Sequence, residues 1–242
     1  DNVESRGLGD VYKRQEVITD SVFIKNIRDF GDFGPNISIE SSTWLEIDST
    51  NAYIDALMTG GKWGDADSGT TKTDLNYYFY DDEKILGEYD GALLFDEEKE
   101  AFLSAMDDYS SVANISFTES SNFEDAHILW AILDDEDSDE SLGSAYAPGD
   151  GVYEGLTTIN YYPYTTEENE LVDENILSPG SYYYTTFIHE LGHALGLSHP
   201  HPDEHEIEHF PGVSHDEDSG DNGLNAQPYT VMTYNDLSLI HI

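Results

Sequence analysis

One short segment limits the folds open to this chain more than any other: Thr186-Phe187-Ile188-His189-Glu190-Leu191-Gly192-His193-Ala194-Leu195-Gly196-Leu197-Ser198-His199-Pro200. On an α-helix, at about 100° per residue, His189 and His193 lie within about 40° of each other, so both imidazoles can reach one ion. Glu190 points beside them. There it can take a proton from a water activated at the metal without being a ligand itself. Gly196 can adopt the left-handed conformation that ends a helix, which turns the chain sharply and brings His199 back as a third nitrogen. Pro200 then keeps the helix from resuming. The chain has no cysteine, so a transition metal must be held by histidine and carboxylate.

Other readings of the same residues remain open at this level. The histidines could be polar surface on an ordinary helix. The third ligand could come from His201, His205, His209 or His215, or from a distant glutamate. His201, His205 and His209 repeat at four-residue spacing, but they follow Pro200 and Pro202 in an acidic stretch and are expected at the surface.

The length, 242 residues at 38% hydrophobic, suits one sizeable core and hence one catalytic domain. No stretch approaches the roughly 18 to 20 apolar residues of a membrane-spanning helix. The first thirty residues lack a basic start followed by an apolar block, so no N-terminal export signal is expected in the chain as it stands. Both ends read as foreign to the fold: Ser5 to Gln15 and Leu237 to Ile242 resemble translated sequencing-adapter read-through. The expected organisation is a non-native extension over 1–15, a catalytic domain over 16–236 and a second extension over 237–242. A net charge of −42, with no Lys or Arg after Lys99, makes nucleic acid and anionic membranes poor partners. The same acidity suits a solvated surface on a secreted protein, or adaptation to salty water where ions screen the self-repulsion. A calcium role for the run Asp134 to Asp137 with Asp139 and Glu140 is the sharper alternative, but the run lacks regular ligand spacing and a central glycine.

The elements alternate along the chain. A helix is expected over residues 50–59, with Tyr53, Ile54, Leu57 and Met58 on one face, stopping at Gly60-Gly61. Leu75, Tyr77 and Phe79 alternate with Asn76, Tyr78 and Tyr80 as in a strand. Asp96 can cap a longer helix, in which Phe102, Ala105, Met106, Tyr109, Val112 and Ala113 recur at three and four residue intervals. Further strands are expected at 115–118, 126–133 and 156–162. Mixed strands with helices on one side give an α/β or α+β architecture.

The long zinc motif, followed by Val231-Met232-Thr233-Tyr234-Asn235, resembles the metzincin peptidases, in which a methionine turn lies beneath the metal. Met232 and Tyr234 match that pattern. Ser178-Pro179-Gly180-Ser181-Tyr182, Leu195 to Pro200, Ala56 to Gly60 with Lys62-Trp63, and Val112 to Phe117 look like the serralysin branch. The resemblance covers residues 49 to 236 and implies a twisted mixed sheet with long helices. It implies zinc on His189, His193 and His199, Glu190 as general base, Met232 as a hydrophobic floor, and Tyr234 as both a zinc ligand and a group that swings to the transition state. It further implies a secreted, extracellular endopeptidase acting on proteins or peptides, with calcium brought in only by kinship. Substrate would lie as an added strand along a sheet edge, sought at Gly143 to Pro148. The protein is expected to be a monomer that does not insert into membranes. Rival expectations are a zinc-binding fragment without activity and an acidic, calcium-dependent interaction protein.

Overall fold

The strand alternation of Leu75, Tyr77 and Phe79 places three large side chains on one face, and that face organises the fold. The structure, a computed structural model, describes residues 42–64, 72–81, 90–134, 141–151, 154–166, 171–202 and 208–235. The terminal extensions over 1–15 and 237–242, the acidic run 135–140 and His205 lie outside these residues.

A two-stranded ribbon pairs β1 (Thr43–Trp44) antiparallel with β2 (Gly61–Lys62), and the short helix α1 (Ala52–Asp55) lies between them in sequence. The main sheet has six strands: β3 (Thr73–Tyr80), β4 (Asp90–Ala92), β5 (Ile115–Glu119), β6 (Ile128–Asp134), β7 (Gly143–Ala145) and β8 (Leu156–Asn160). Their order is β5-β3-β6-β8-β7. The first four are mutually parallel, β7 is antiparallel at the end, and β4 pairs antiparallel with the far end of β6. Two long helices, α2 (Asp96–Val112) and α3 (Tyr182–Ala194), complete the α/β architecture.

Both helices pack on the same face of the sheet. Phe102 of α2 has its ring 4.0 Å from Trp130 of β6 and 4.7 Å from Phe187 of α3, and all three are fully buried. Burying one such side chain contributes roughly 1.5–3 kcal/mol, so this aromatic contact is a main tie between the layers. Every residue of β8 is buried, as suits a parallel strand flanked on both edges. The opposite face carries a small cluster of Ala131, Leu133 and Tyr80.

Four local expectations need correction. The helix expected over 50–59 is helical only at Ala52–Asp55, because the backbone of residues 57–59 pairs instead with residues 196–198. Asp96 is not the cap of α2. Phe95 holds that position, and its N–H donates to Oε2 of Glu98 at 2.8 Å, so a carboxylate inside the first turn satisfies the helix start. Val112, periodic with the buried stripe, is 83% exposed, although Tyr109 in the same last turn packs against the core. The strand expected to reach residue 162 stops at Asn160, and Tyr162–Tyr164, with Pro163 inside, forms a 3₁₀ turn.

Glu98 is fully buried and also accepts a hydrogen bond from the Tyr164 hydroxyl at 2.6 Å. Burial pushes its carboxyl up to about 7, against the opposing pull of those two donors. The folded protein therefore holds this proton more tightly than the unfolded chain. The resulting stability is complete below the ordinary glutamate range near pH 4.5 and is lost as pH rises to about 7. Glu98→Gln is expected to remove that dependence: thermal melts from pH 4 to 8 should find the variant gaining roughly 2–3 kcal/mol on the parent as pH rises. A constant difference across the range would show that folding leaves the Glu98 carboxyl's titration unshifted.

Candidate metal centre

Helix α3 starts at Ser181, whose hydroxyl accepts a hydrogen bond from the Tyr184 N–H at 3.2 Å. It ends in a Schellman arrangement: the Gly196 N–H donates to the His193 carbonyl at 2.8 Å and the Leu197 N–H to the Gly192 carbonyl at 2.9 Å. Gly196 has φ of +98°, and a Cβ there would lie 2.4 Å from the Gly61 carbonyl oxygen. The chain that leaves this turn is caught by residues 57–59. The Ser198 N–H donates to the Leu57 carbonyl at 3.0 Å, and both the N–H and the hydroxyl of Thr59 donate to the Gly196 carbonyl at 3.0 Å. The Trp63 indole N–H donates to the Ala194 carbonyl at 2.9 Å, occupying one of the free acceptors at the helix end. Gly196→Ala faces both a left-handed backbone and a backbone clash, with an expected cost of roughly 2 kcal/mol or more. Its melting temperature should fall by at least ~5 °C. An unchanged melt would mean that the turn relaxes freely.

His199 is thereby delivered to the two helix histidines. The Nε2 atoms of His189, His193 and His199 lie 3.0 to 3.1 Å from one another. Among the described residues this triad is the one group of three or more potential ligands gathered closely enough for a metal. The tautomers follow from the carbonyls. His189 Nδ1 lies 2.8 Å from the Val231 carbonyl oxygen and His193 Nδ1 lies 2.9 Å from that of Leu197. A carbonyl can only accept, so each Nδ1 carries the hydrogen and each Nε2 turns a lone pair inward. Two such lone pairs cannot satisfy each other, but a cation satisfies both. Four-coordinate zinc with Zn–N near 2.0–2.1 Å spaces its nitrogens by about 3.3 Å, close to the triangle seen. Burial, followed by the neighbouring His193 and His199, holds His189 well below its usual pKa, in the neutral form a ligand needs.

Glu190 follows His189 on the helix and is buried, and its Oε1 has no hydrogen-bond partner. It packs beneath β7, where a Cβ on Gly143 would lie 2.8 Å from its Cγ. Burial alone pushes this carboxyl up to about 8. A divalent cation in the triad acts in the opposite sense and favours the carboxylate.

The second segment expected at the site is there too. Met232 is fully buried against α3, so close that a Cβ on Gly192 would meet its sulfur at 2.5 Å. Tyr234 places its hydroxyl 2.8 Å from His199 Nε2. His209 is exposed, as expected, and so is His215. His201 is not: it is only 4% exposed, stacked on the His199 ring, so its expected surface position is wrong.

Several residues that hold the site carried no local signal. Asn225 is fully buried; its amide N–H groups donate to the carbonyls of Asp216 and Asp218 at 3.0 and 2.8 Å, and its own Oδ1 accepts from the Thr233 hydroxyl. The Asn235 amide donates to the Asp216 and Asn225 carbonyls at 2.9 and 2.8 Å. Together they fix the loop that carries Met232 and Tyr234. The Tyr109 hydroxyl of α2 donates to the Ile188 carbonyl at 3.2 Å, tying the second long helix to the histidine helix. An asparagine in an acidic loop reads as a turn residue, and only its burial marks it as an anchor.

A family model described as Matrixin, a peptidase family, matches residues 71–204, from β3 through all three histidines. The chain belongs to that family. Its similar relatives include serralysins. It is 29% identical over 208 residues to a serralysin of Photorhabdus sp. (strain Az29), covering 83% of this chain and 39% of that protein. It is 31% identical over 179 residues to Metallopeptidase AprA of Pseudomonas marginalis, covering 70% of this chain and 35% of that protein. The metzincin domain thus spans little more than a third of the length of these relatives. Among solved structures, that of myroilysin aligns over 60% of this chain and 55% of that one, at 15% identity and a TM-score of 0.39, too loose a superposition to argue from.

Proposed function

We propose that this metzincin domain is a zinc endopeptidase that hydrolyses peptide bonds with Glu190 as general base. The observation that carries the reading is the inward-facing Nε2 triad of His189, His193 and His199, with an unpartnered, buried Glu190 oxygen on the same helix. Zinc held by the three imidazoles would supply a Lewis acid that polarises the scissile carbonyl and makes water acidic enough to ionise near neutral pH. Glu190 accepts the proton of the attacking water and returns it to the leaving amine, so no covalent intermediate is needed. The Tyr234 hydroxyl, 2.8 Å from His199 Nε2, would help hold the metal and is near enough to donate a hydrogen bond to the developing oxyanion. Met232 closes the floor beneath the histidines and keeps water away from their lower side. The Val231 and Leu197 carbonyls fix the tautomers that point the lone pairs inward.

Substrate pairs as an extra strand along β7, whose one partner strand among the described residues is β8 and which backs onto Glu190 at Gly143. Backbone pairing there accepts many sequences, as a broad endopeptidase requires. The acidic surface and the kinship support an extracellular, monomeric enzyme acting on proteins or peptides, with calcium brought in by kinship alone. The same charge disfavours nucleic acid, and no helix among the described residues is long and apolar enough to cross a membrane. The purified chain with one equivalent of zinc is expected to cleave casein, to lose that activity on chelation and to regain it when zinc is restored. Stoichiometric zinc without cleavage would mark the chain as an inactive zinc-binding piece of a longer enzyme. Cleavage that survives complete metal removal would sink the metal reading.

A further inference from the structure

We infer that His201 is a positioning residue of the metal centre, a flat wedge that holds the His199 imidazole and the Tyr234 phenol in their mutual arrangement. The inference rests on the proposed zinc triad with Tyr234 beside it. His201 is 4% exposed, and its ring stacks on His199 at 4.9 Å with 12° between the planes. The same ring lies 4.5 Å from Tyr234 at 55°, and the third side of the triangle, His199 to Tyr234, is 4.8 Å at 62°. Three rings are therefore in mutual contact, and the hydroxyl of one meets Nε2 of another at 2.8 Å.

The need for a wedge follows from how the three histidines and Tyr234 are mounted. His189 and His193 project from a regular helix, each with a backbone carbonyl locking its Nδ1. His199 and Tyr234 both sit on irregular backbone, 35 residues apart in the chain. Hydrogen bonds hold the two segments, but the orientation of the two rings has to be set by packing: the His189 ring lies against both at 5.2 and 5.6 Å, and the His201 ring packs against both more closely, from outside the triad. The wedge is itself anchored. Pro200 restricts the backbone between the two histidines, and its carbonyl accepts the Phe210 N–H at 2.9 Å, while Phe210 is buried against Ala56 and Val213. Aromatic contacts of this kind contribute by geometry as well as area, so a flat ring should replace His201 where a methyl cannot.

Two readouts on the 242-residue chain test this: zinc affinity by chelator competition, and the tyrosinate-to-metal charge-transfer absorption of the copper(II)-loaded protein, which reports the Tyr234 contact without turnover. His201→Ala is expected to weaken zinc binding by roughly 10- to 100-fold, as loss of an outer partner does, and to reduce the charge-transfer band severalfold. His201→Phe should restore both towards the parent, because it keeps the ring and drops only the nitrogens. Tyr234→Phe should abolish the band while keeping stoichiometric zinc. Circular dichroism of each metal-free variant separates these effects from misfolding. A His201→Ala variant with the parent's band and affinity overturns the inference, and so does a folded His201→Phe variant that fails as badly as the alanine. A parent protein without the band sinks the Tyr234 ligand role itself, and with it the wedge's part in holding that residue.

Discussion

Glu190→Gln is expected to keep a full equivalent of zinc and lose almost all turnover. The amide is nearly isosteric, and none of the three Nε2 atoms that face one another belongs to Glu190. What the substitution removes is the proton acceptor. A positioned acid–base group is worth roughly 10²- to 10⁴-fold, so kcat/KM on a quenched peptide should fall by at least that factor. The loss should sit in kcat, because Glu190 acts on the proton and contributes little to ground-state binding. The carboxylate is buried with an oxygen that no protein group satisfies, an arrangement that costs stability unless something else uses it. The variant should therefore be no less stable than the parent. Zinc lost together with activity would make Glu190 structural, and near-normal turnover would move the base elsewhere.

His199→Ala should have the larger effect on the metal. Two helix histidines alone leave zinc two protein ligands, and the third is what the Gly196 turn and its pairing with residues 57–59 deliver. Affinity in chelator competition is expected to fall by well over the ~100-fold that removal of an outer partner costs, and activity should vanish at limiting zinc. His209→Ala, at an exposed position on the same acidic segment, should change neither. Equal losses from the two variants would mean that the ligand set is misassigned. The stabilisation that zinc gives the folded chain should disappear along with the site, so the melt of His199→Ala should no longer rise with added zinc.

The sequence by itself determined those parts of the site whose geometry is local. Histidines four apart on a helix share a face whatever surrounds them, and Gly196 followed by Pro200 ends the helix where it does in any context. The alternation of Leu75, Tyr77 and Phe79 and the spacing of Phe102, Ala105 and Met106 likewise chose a strand and a helix with the correct buried faces. The tertiary structure decided everything that depends on a distant backbone partner. Residues 57–59 look helical alone, yet they unwind because the turn after Gly196 offers hydrogen bonds that a last helical turn would forgo. Glu98 caps α2 from inside because its carboxylate is sealed under Tyr164, which is 66 residues away in the chain. Asn225 holds the methionine turn through carbonyls that composition reads as ordinary acidic loop. His201, set between prolines and acids, looks like surface in sequence and becomes part of the centre because His199 and Tyr234 close over it. Periodicity records which face a residue takes within its own element; which element then covers that face is settled by pairings between residues tens to more than a hundred positions apart, and no local pattern encodes them.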